Sequence, residues 1–416
     1  MSSVIMVSAV YTTKLEKGWL YGALASLAEK EALLCTNVFD ADTKKPYHRI
    51  LDQIDLDKIV FYRPEIETFQ ELNDVLIPKV KLEYQDESIP LWRAYIIGKE
   101  QRELVWVYDH SIADGSSGVL FHQQLLECLN RDDLNLGQTI VKCKSSDIAP
   151  KMEDTMDIRP SWGYLFKYKY DGWKHMLSLD PKTWVGDPPA VPMSSQTKCF
   201  ELTPAEARNL VQYCRKRKFT ITSLLYAALI KKIAELWVEN PESYSHLVFT
   251  CPVNARRYIK VQPMENSIGN YVFQYYEDFP LTDRDMSIDN LAARYNENLK
   301  KAIDDPTEIG QNVGMFNYKN IKQYLLDSCK TAHRGDTAEI SNLGAFEFSS
   351  GKNTTIEKLN FTQGVSSVGA YVTMNVIGVK NGTINGSISV ACDDENFTRS
   401  TQLTNELLNS IRSLIN

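Results

Sequence analysis

The sequence predicts an α/β protein, built from mixed α+β sheets and divided into two lobes. Three observations carry that expectation. At 416 residues the chain exceeds what one small core can organise. Strand-like and helix-like apolar patterns alternate in both halves. Between them, residues 143–196 lose periodicity and mix Pro, Asp, Lys and aromatic residues ("SSDIAPKMEDTMDIRPSWGY", "GDPPAVPMSSQ"), as a crossover segment does. The expected division is an N-terminal lobe over 1–142, a crossover over 143–196 and a C-terminal lobe over 197–416.

The first lobe opens with "VIMVSAVY", a continuous apolar run short enough for a buried strand, followed by "LEKGWLYGALASLAEK" with helical spacing and a second apolar run, "ALLCTNVF". "KIVFY" reads as a strand and "TFQELNDVLIPKV" as a helix. The strands "PLWRAYIIG" and "ELVWVYDH" flank a polar "KEQR" turn, and the helix "VLFHQQLLECL" follows.

The second lobe begins with the strand "TKCFEL". In "TPAEARNLVQYCRKR" Thr203 is an N-cap, Pro204 takes the first helical position and Glu206 completes a capping box. The basic run "CRKRK" closes that helix, where cations suit the carbonyl end of the dipole. "TSLLYAALIKKIAELW" is the most apolar helix and is expected between layers. The strands "HLVFTCPVNARRY" and "YVFQYY", the helix "IDNLAARYNENLKKAI", a helical stretch through "IKQYLLDSC" and a closing sheet with a "KNGT" hairpin turn complete the lobe. The last helix, "STQLTNELLNSIRSLI", carries an apolar stripe that could lie on a membrane but is expected to pack on the lobe.

Composition narrows the function. Lys and Arg total 46 against 53 Asp and Glu, a net charge of −7, so no general attraction to nucleic acid follows. The eight cysteines are scattered without CxxC pairs or metal-like spacing to histidine and read as reduced thiols; no metal site is expected. The N-terminus lacks a basic n-region, and no apolar span is long enough to cross a bilayer. We expect a cytoplasmic monomer.

The chemistry concentrates at "VWVYDHSIADGSSGVLFHQQLLECL". His110 ends a strand, a frequent place for functional groups in α/β sheets, and its side chain is the natural general base near neutral pH. Gly115 and Gly118 are read as giving a sharp turn and room for a ligand. Asp114 could cap the following helix or accept from an arginine, fixing the loop that carries the base. The spacing of histidine, three residues, aspartate is not decisive alone: His48 and Asp52 share it in "HRILDQ", a polar segment with no glycine behind it. On residue chemistry His110 is either a base or a hydrogen-bonding side chain at a strand end.

A resemblance separates these readings. "HSIADGSSG" after a strand is similar to the HxxxD(G) motif of the CoA-dependent acyltransferase superfamily. Its flavour, with "CPVNARRY", "SIGNYV" and "EISNLGAFEF" following in order, resembles the fungal alcohol O-acetyltransferase family over nearly the whole chain. Plant relatives carry DFGWG where this chain reads "NLGAFEF", which points to the fungal branch; the chain starts directly at its first strand, where many fungal relatives have a further N-terminal helix, and this bears on acceptor choice. The resemblance implies a chloramphenicol-acetyltransferase-like fold with a tunnel at the lobe interface. CoA would enter from one face and the acceptor from the other, meeting at His110. It implies no permanently bound cofactor; acetyl-CoA is a co-substrate, attacked directly by an alcohol as His110 Nε2 removes its proton. It also implies an Asp114 link to Arg256 or Arg257. Asn270, Ser341, Asn342 and Thr373, polar residues in otherwise apolar strands, are candidates for lining the tunnel and holding the oxyanion. The implied partners are a CoA thioester and a small-molecule alcohol or amine. Two alternatives to O-acetylation stand: N-acetylation of a long-chain amine or amino alcohol, and a non-catalytic protein that binds a lipid or other small molecule. Weak peripheral contact with the endoplasmic reticulum or lipid droplets is a further expectation.

Overall fold

The architecture is that of a computed structural model. It describes residues 4–416 apart from 44, 145–147, 177–181, 189–194, 261–265, 319–322, 324–326, 328–329, 331–333, 350, 366–368 and 392–397. His333, Cys329 and Cys392 lie outside the described residues, as does most of "IKQYLLDSC".

Two mixed sheets organise the molecule. Their strands are β1 (Val4–Tyr11), β2 (Val60–Arg63), β3 (Trp92–Ile97), β4 (Glu103–Asp109), β5 (Gln196–Leu202), β6 (His246–Asn254), β7 (Val272–Pro280), β8 (Ala338–Phe346), β9 (Ile356–Gln363), β10 (Val372–Val379) and β11 (Ile384–Val390). The first sheet has the order β9-β1-β4-β3-β2, and the second β5-β11-β10-β8-β6-β7. Most strands are apolar on both faces, because helices or the other sheet cover each side; β11 is buried along its whole length.

Chain order and sheet membership part company at β9. It follows β8 of the second sheet, yet it pairs antiparallel with β1 from Ile5–Gln363 to Tyr11–Ile356, as the edge of the first. Polar side chains of β11 then donate to its outer carbonyls: Asn385 Nδ2 to Leu359 O at 2.7 Å and Ser387 Oγ to Phe361 O at 3.2 Å. Those bonds satisfy backbone acceptors that an edge strand would leave open. They also fasten the two sheets side by side.

Helix α1 (Lys17–Lys30) and α2 (Gly115–Leu129) cover the first sheet. The second sheet is covered by α4 (Pro204–Arg217), α5 (Ile221–Trp237), α6 (Ile288–Asp304) and α7 (Thr398–Ile415), with α3 (Trp162–Met176) in the crossover. The capping box at Thr203 is formed, and the helix ends with Lys218 in the left-handed conformation at φ 63°. In α5 nine residues are buried, from Ser223 to Ile233, which agrees with its expected place between layers. The stripe of α7 is buried too: Leu403, Leu407 and Ile411 are each 0% exposed. Among the described residues no helix is long and apolar enough to cross a membrane.

The crossover departs from its expected irregularity. Trp162–Met176 forms the fifteen-residue helix α3. Its Trp162, Phe166 and Trp173 are 79%, 71% and 55% exposed. They recur at helical spacing, so the periodic signal was present but marks an outward face instead of a core.

Candidate active site

The site is built where β4 ends. Tyr108 is the last fully buried aromatic of the strand, and its hydroxyl donates to Asp114 O at 2.8 Å, closing the turn back on itself. Asp109 Oδ1 accepts from Ser111 N at 2.9 Å. His110 is thereby carried just beyond the sheet, half-buried, before α2 begins at Gly115.

Asp114 caps that helix through Ser117 N at 2.8 Å. Its other oxygen, Oδ2, accepts from Arg256 Nη1 at 2.7 Å and from Tyr271 N at 2.9 Å. Both partners of the ion pair are buried, at 1% and 3% exposure. Arg256 continues inward: Nη2 donates to Ser117 Oγ at 2.9 Å, Ser267 O at 3.1 Å and Gly269 O at 3.0 Å. One guanidinium therefore joins the histidine turn of the first sheet to the 267–271 loop that leads into β7. Full pairing matters because a buried charge without its partner is costly. Arg257 is exposed and makes no such contact; it borders the smaller cleft described below.

The loop fixed in this way holds the imidazole. Asn270 Nδ2 donates to His110 O at 3.0 Å and lies 3.2 Å from His110 Nδ1. Because the amide nitrogen faces a carbonyl, exchanging its oxygen and nitrogen would set two acceptors together.

Gly115 and Gly118 differ from their expected role. Neither has positive φ; both lie in α2, and what they permit is close packing. A Cβ on Gly118 would stand 2.2 Å from Val7 Cγ2 and 2.9 Å from the Tyr108 hydroxyl. On Gly115 it would meet only the Leu343 side chain, at 2.9 Å, and the rim of Phe361. Gly115 lines the smaller cleft described below, whereas Gly118 seats the helix on β1.

Two clefts border the motif, one at Ser111 and Ile112 and the other at Gly115 and Ser116. The larger, about 910 Å³, is lined at its polar end by Ser111, Asn270, Gln274 and Glu339, and further out by Ile148, Ile158, Val313 and Phe316. The smaller, about 240 Å³, is lined by Gly115, Ser116, Thr222, Arg257, Ser341 and Asn342. Val272 borders both. Along β8, Glu339 faces the larger cleft and Ser341, two residues on and so on the same face of the strand, faces the smaller. The turn from Ser111 to Gly115 stands between them.

The candidate lining residues divide accordingly. Asn270 is on the larger cleft; Ser341 and Asn342 are on the smaller, where Asn342 Nδ2 donates to Thr222 Oγ1 at 3.0 Å. Thr373 is buried within β10 and borders neither. Cys251 lines the smaller cleft, but burial pushes its thiol up to about 11, which leaves little thiolate at neutral pH. His122 is a structural residue: fully buried, it sits 3.0 Å from Val7 O and 3.1 Å from the Tyr11 hydroxyl, and burial lowers its pKa to about 4.

Two side chains in this region, Glu339 and Gln274, were not singled out from the sequence, and a third, His48, was set aside there. Glu339 lies on the larger cleft; burial raises its carboxyl above the ordinary range, and the amides of Gln363 and Gln274 donate to it. Glu339 also lies within electrostatic reach of His110. His48 lines the same cleft and, near Asp109, has its pKa lowered by burial. Gln274 completes the polar end.

Two sheets joined along one seam, with the HxxxD turn and two clefts at that seam, define the two-lobed fold of the condensation and acetyltransferase enzymes. The trichothecene 15-O-acetyltransferase TRI3 of Fusarium sporotrichioides superposes with a TM-score of 0.72 at 13% identity, covering 99% of this chain and 91% of that one. The chain belongs to the alcohol acetyltransferase family, whose model matches residues 1–412, and it is an acyltransferase. Its relatives include an uncharacterized protein of Schizosaccharomyces pombe, 33% identical over 99% of this chain and 92% of that protein. The "Probable alcohol acetyltransferase crmB" of Aspergillus fumigatus is 25% identical over 61% of this chain and 57% of its own length.

Proposed function

We propose that the protein transfers an acetyl or other short acyl group from acetyl-CoA to the hydroxyl of a small or medium apolar alcohol, with His110 as general base. The observation that supports this best is the position of the Ser111–Gly115 turn between two clefts of unequal size, with His110 held by Asn270. The narrower cleft suits the thioester arm. It offers Thr222 at the start of α5 and the exposed Arg257, groups that favour an anion. The wider one, with Ile148, Ile158, Val313 and Phe316 among its walls, suits the acceptor.

In the step proposed, the alcohol oxygen attacks the thioester carbonyl carbon while its proton passes to His110. The tetrahedral intermediate collapses with cleavage of the C–S bond, and the CoA thiolate leaves and recovers that proton. Holding both substrates at one imidazole supplies proximity, and the base adds about a hundred- to ten-thousandfold. Ser341, between the motif and the smaller cleft, is our candidate donor to the oxyanion. Cys251, with its thiol pushed up to about 11, offers no ready nucleophile, which favours a ternary complex over an acyl-enzyme.

The nitrogen that acts as base depends on Asn270. As placed, its amide donates toward Nδ1, which puts the proton of a neutral ring on Nε2. Catalysis through Nε2 therefore requires Asn270 to turn its oxygen to Nδ1 when the acceptor enters, giving up its bond to His110 O.

Mass spectrometry of the products from acetyl-CoA with panels of alcohols and amines tests the reading. Ester formation supports it; amide formation alone, or no product with any acceptor, overturns it. Peripheral membrane contact, if the protein makes one, is proposed for the aromatic face of α3 and not for the buried stripe of α7.

A further inference from the structure

Glu339 is a half-buried carboxylate whose hydrogen-bond partners are neutral amides, from Gln363 and, at 3.3 Å, Gln274. Among the described residues no lysine or arginine forms an ion pair with it. Burying an ionised carboxylate without a cation is unfavourable. Asp336 lies within electrostatic reach of Glu339, and burial and that neighbour push its carboxyl up to about 7. Glu339 thus places a carboxyl with only amide partners on the lining of the larger cleft, which also carries Lys151, not ion-paired to it, and the apolar side chains of Ile148, Ile158, Val313 and Phe316.

Position adds the second half of the argument. Glu339 lies on the cleft wall beside Gln274 and within electrostatic reach of His110. An acceptor whose hydroxyl is presented to His110 brings its neighbouring atoms to this carboxylate. Two amide donors leave further lone pairs on the two oxygens free to accept.

We propose that Glu339 is a recognition site for a protonated amine on the acceptor, so that the preferred substrate is an amphiphilic amino alcohol: ammonium on Glu339, hydroxyl at His110, apolar chain toward Ile158 and Phe316. The assignment rests on the transferase reading above and narrows its acceptor class. It also fixes which atom is acylated. An ammonium held by a carboxylate has no lone pair, so the hydroxyl oxygen attacks, its proton goes to His110, and the CoA thiolate leaves.

The test compares octanol with aminooctanol, the amine on the carbon beside the carbinol, in wild type and Glu339→Gln. Affinity is measured by calorimetric titration without acetyl-CoA, and kcat/KM by CoA release. A charge-assisted hydrogen bond in a buried site corresponds to about tenfold or more, so wild type should prefer aminooctanol by that factor in both measurements. In Glu339→Gln the ratio should fall to about one, with the change in KM more than in kcat. Equal affinity of wild type for the two compounds overturns the proposal without any variant. So does a preference that Glu339→Gln leaves intact. A preference in binding accompanied by no turnover of either compound would support the site and count against the transferase reading instead.

Discussion

Replacing Asp114 by Asn should unfold more of this protein's design than any other single atom exchange at the site. The carboxylate makes four bonds: Ser117 N at 2.8 Å and Ser117 Oγ at 2.9 Å on one oxygen, Arg256 Nη1 at 2.7 Å and Tyr271 N at 2.9 Å on the other. All four partners donate, so an amide nitrogen in place of either oxygen faces donors, and the buried Arg256 is left without its counter-charge. Removing one partner of a buried pair costs about 3–5 kcal/mol. Arg256 also holds the carbonyls of Ser267 and Gly269, one residue from Asn270, so the loss should spread to the amide that orients His110. Urea unfolding followed by circular dichroism gives the stability, and CoA release gives kcat. The double variant Asp114→Leu/Arg256→Met should regain part of the lost stability, because no charge remains unpaired, yet regain no turnover. A cost below about 1 kcal/mol for Asp114→Asn, or strictly additive effects in the double variant, would refute the reasoning.

Other outcomes follow from the same geometry. Gly118→Ala should lose about 1–3 kcal/mol, because its methyl would sit 2.2 Å from Val7 Cγ2, whereas Gly115→Ala, opposed mainly by the flexible Leu343 end, should lose less; paired thermal melts check the order. His122 binds its proton less readily in the fold, at about 4, than its ordinary 6.5. The unfolded chain therefore takes up the proton first as pH falls through 6.5, and stability declines until about pH 4. The wild type should lose about 2 kcal/mol from this group by pH 5, and His122→Gln should flatten that slope in urea titrations at pH 7 and 5. Sedimentation with anionic vesicles should be reduced in Trp162→Ser/Phe166→Ser if α3 meets a membrane, and unchanged in a variant of the α7 solvent face such as Asn409→Asp.

How much of this was legible in the sequence depends on the range of the interaction. The Thr203 capping box and the Asp114 cap are local, set by residues three apart, and both form as read. The choice between Arg256 and Arg257 was not legible. Strand alternation ends at Asn254, and Ala255–Tyr258 turns in a single 3₁₀ coil that sends Arg256 inward. Glu339 occupies a strand position where an isolated charge reads as solvent-facing; only the approach of Gln363, on β9 from the other sheet, makes it interior. The membership of β9 is itself nonlocal, since nothing within Ile356–Gln363 says which sheet edge it joins. Helix α3 shows the opposite failure: aromatic residues recur at helical spacing within Trp162–Met176, yet among the prolines and lysines of the crossover the segment reads as aperiodic.

The central claim is that acyl transfer takes place at His110, between the two clefts. Its most direct test is kcat for acceptor-dependent CoA release from acetyl-CoA by His110→Ala beside His48→Ala, a histidine that lines the larger cleft and shares the spacing to an aspartate. The account predicts a loss of about a hundredfold or more for His110→Ala, with His48→Ala retaining turnover and both proteins folded. Equal losses in the two variants, or full turnover without His110, would contradict it.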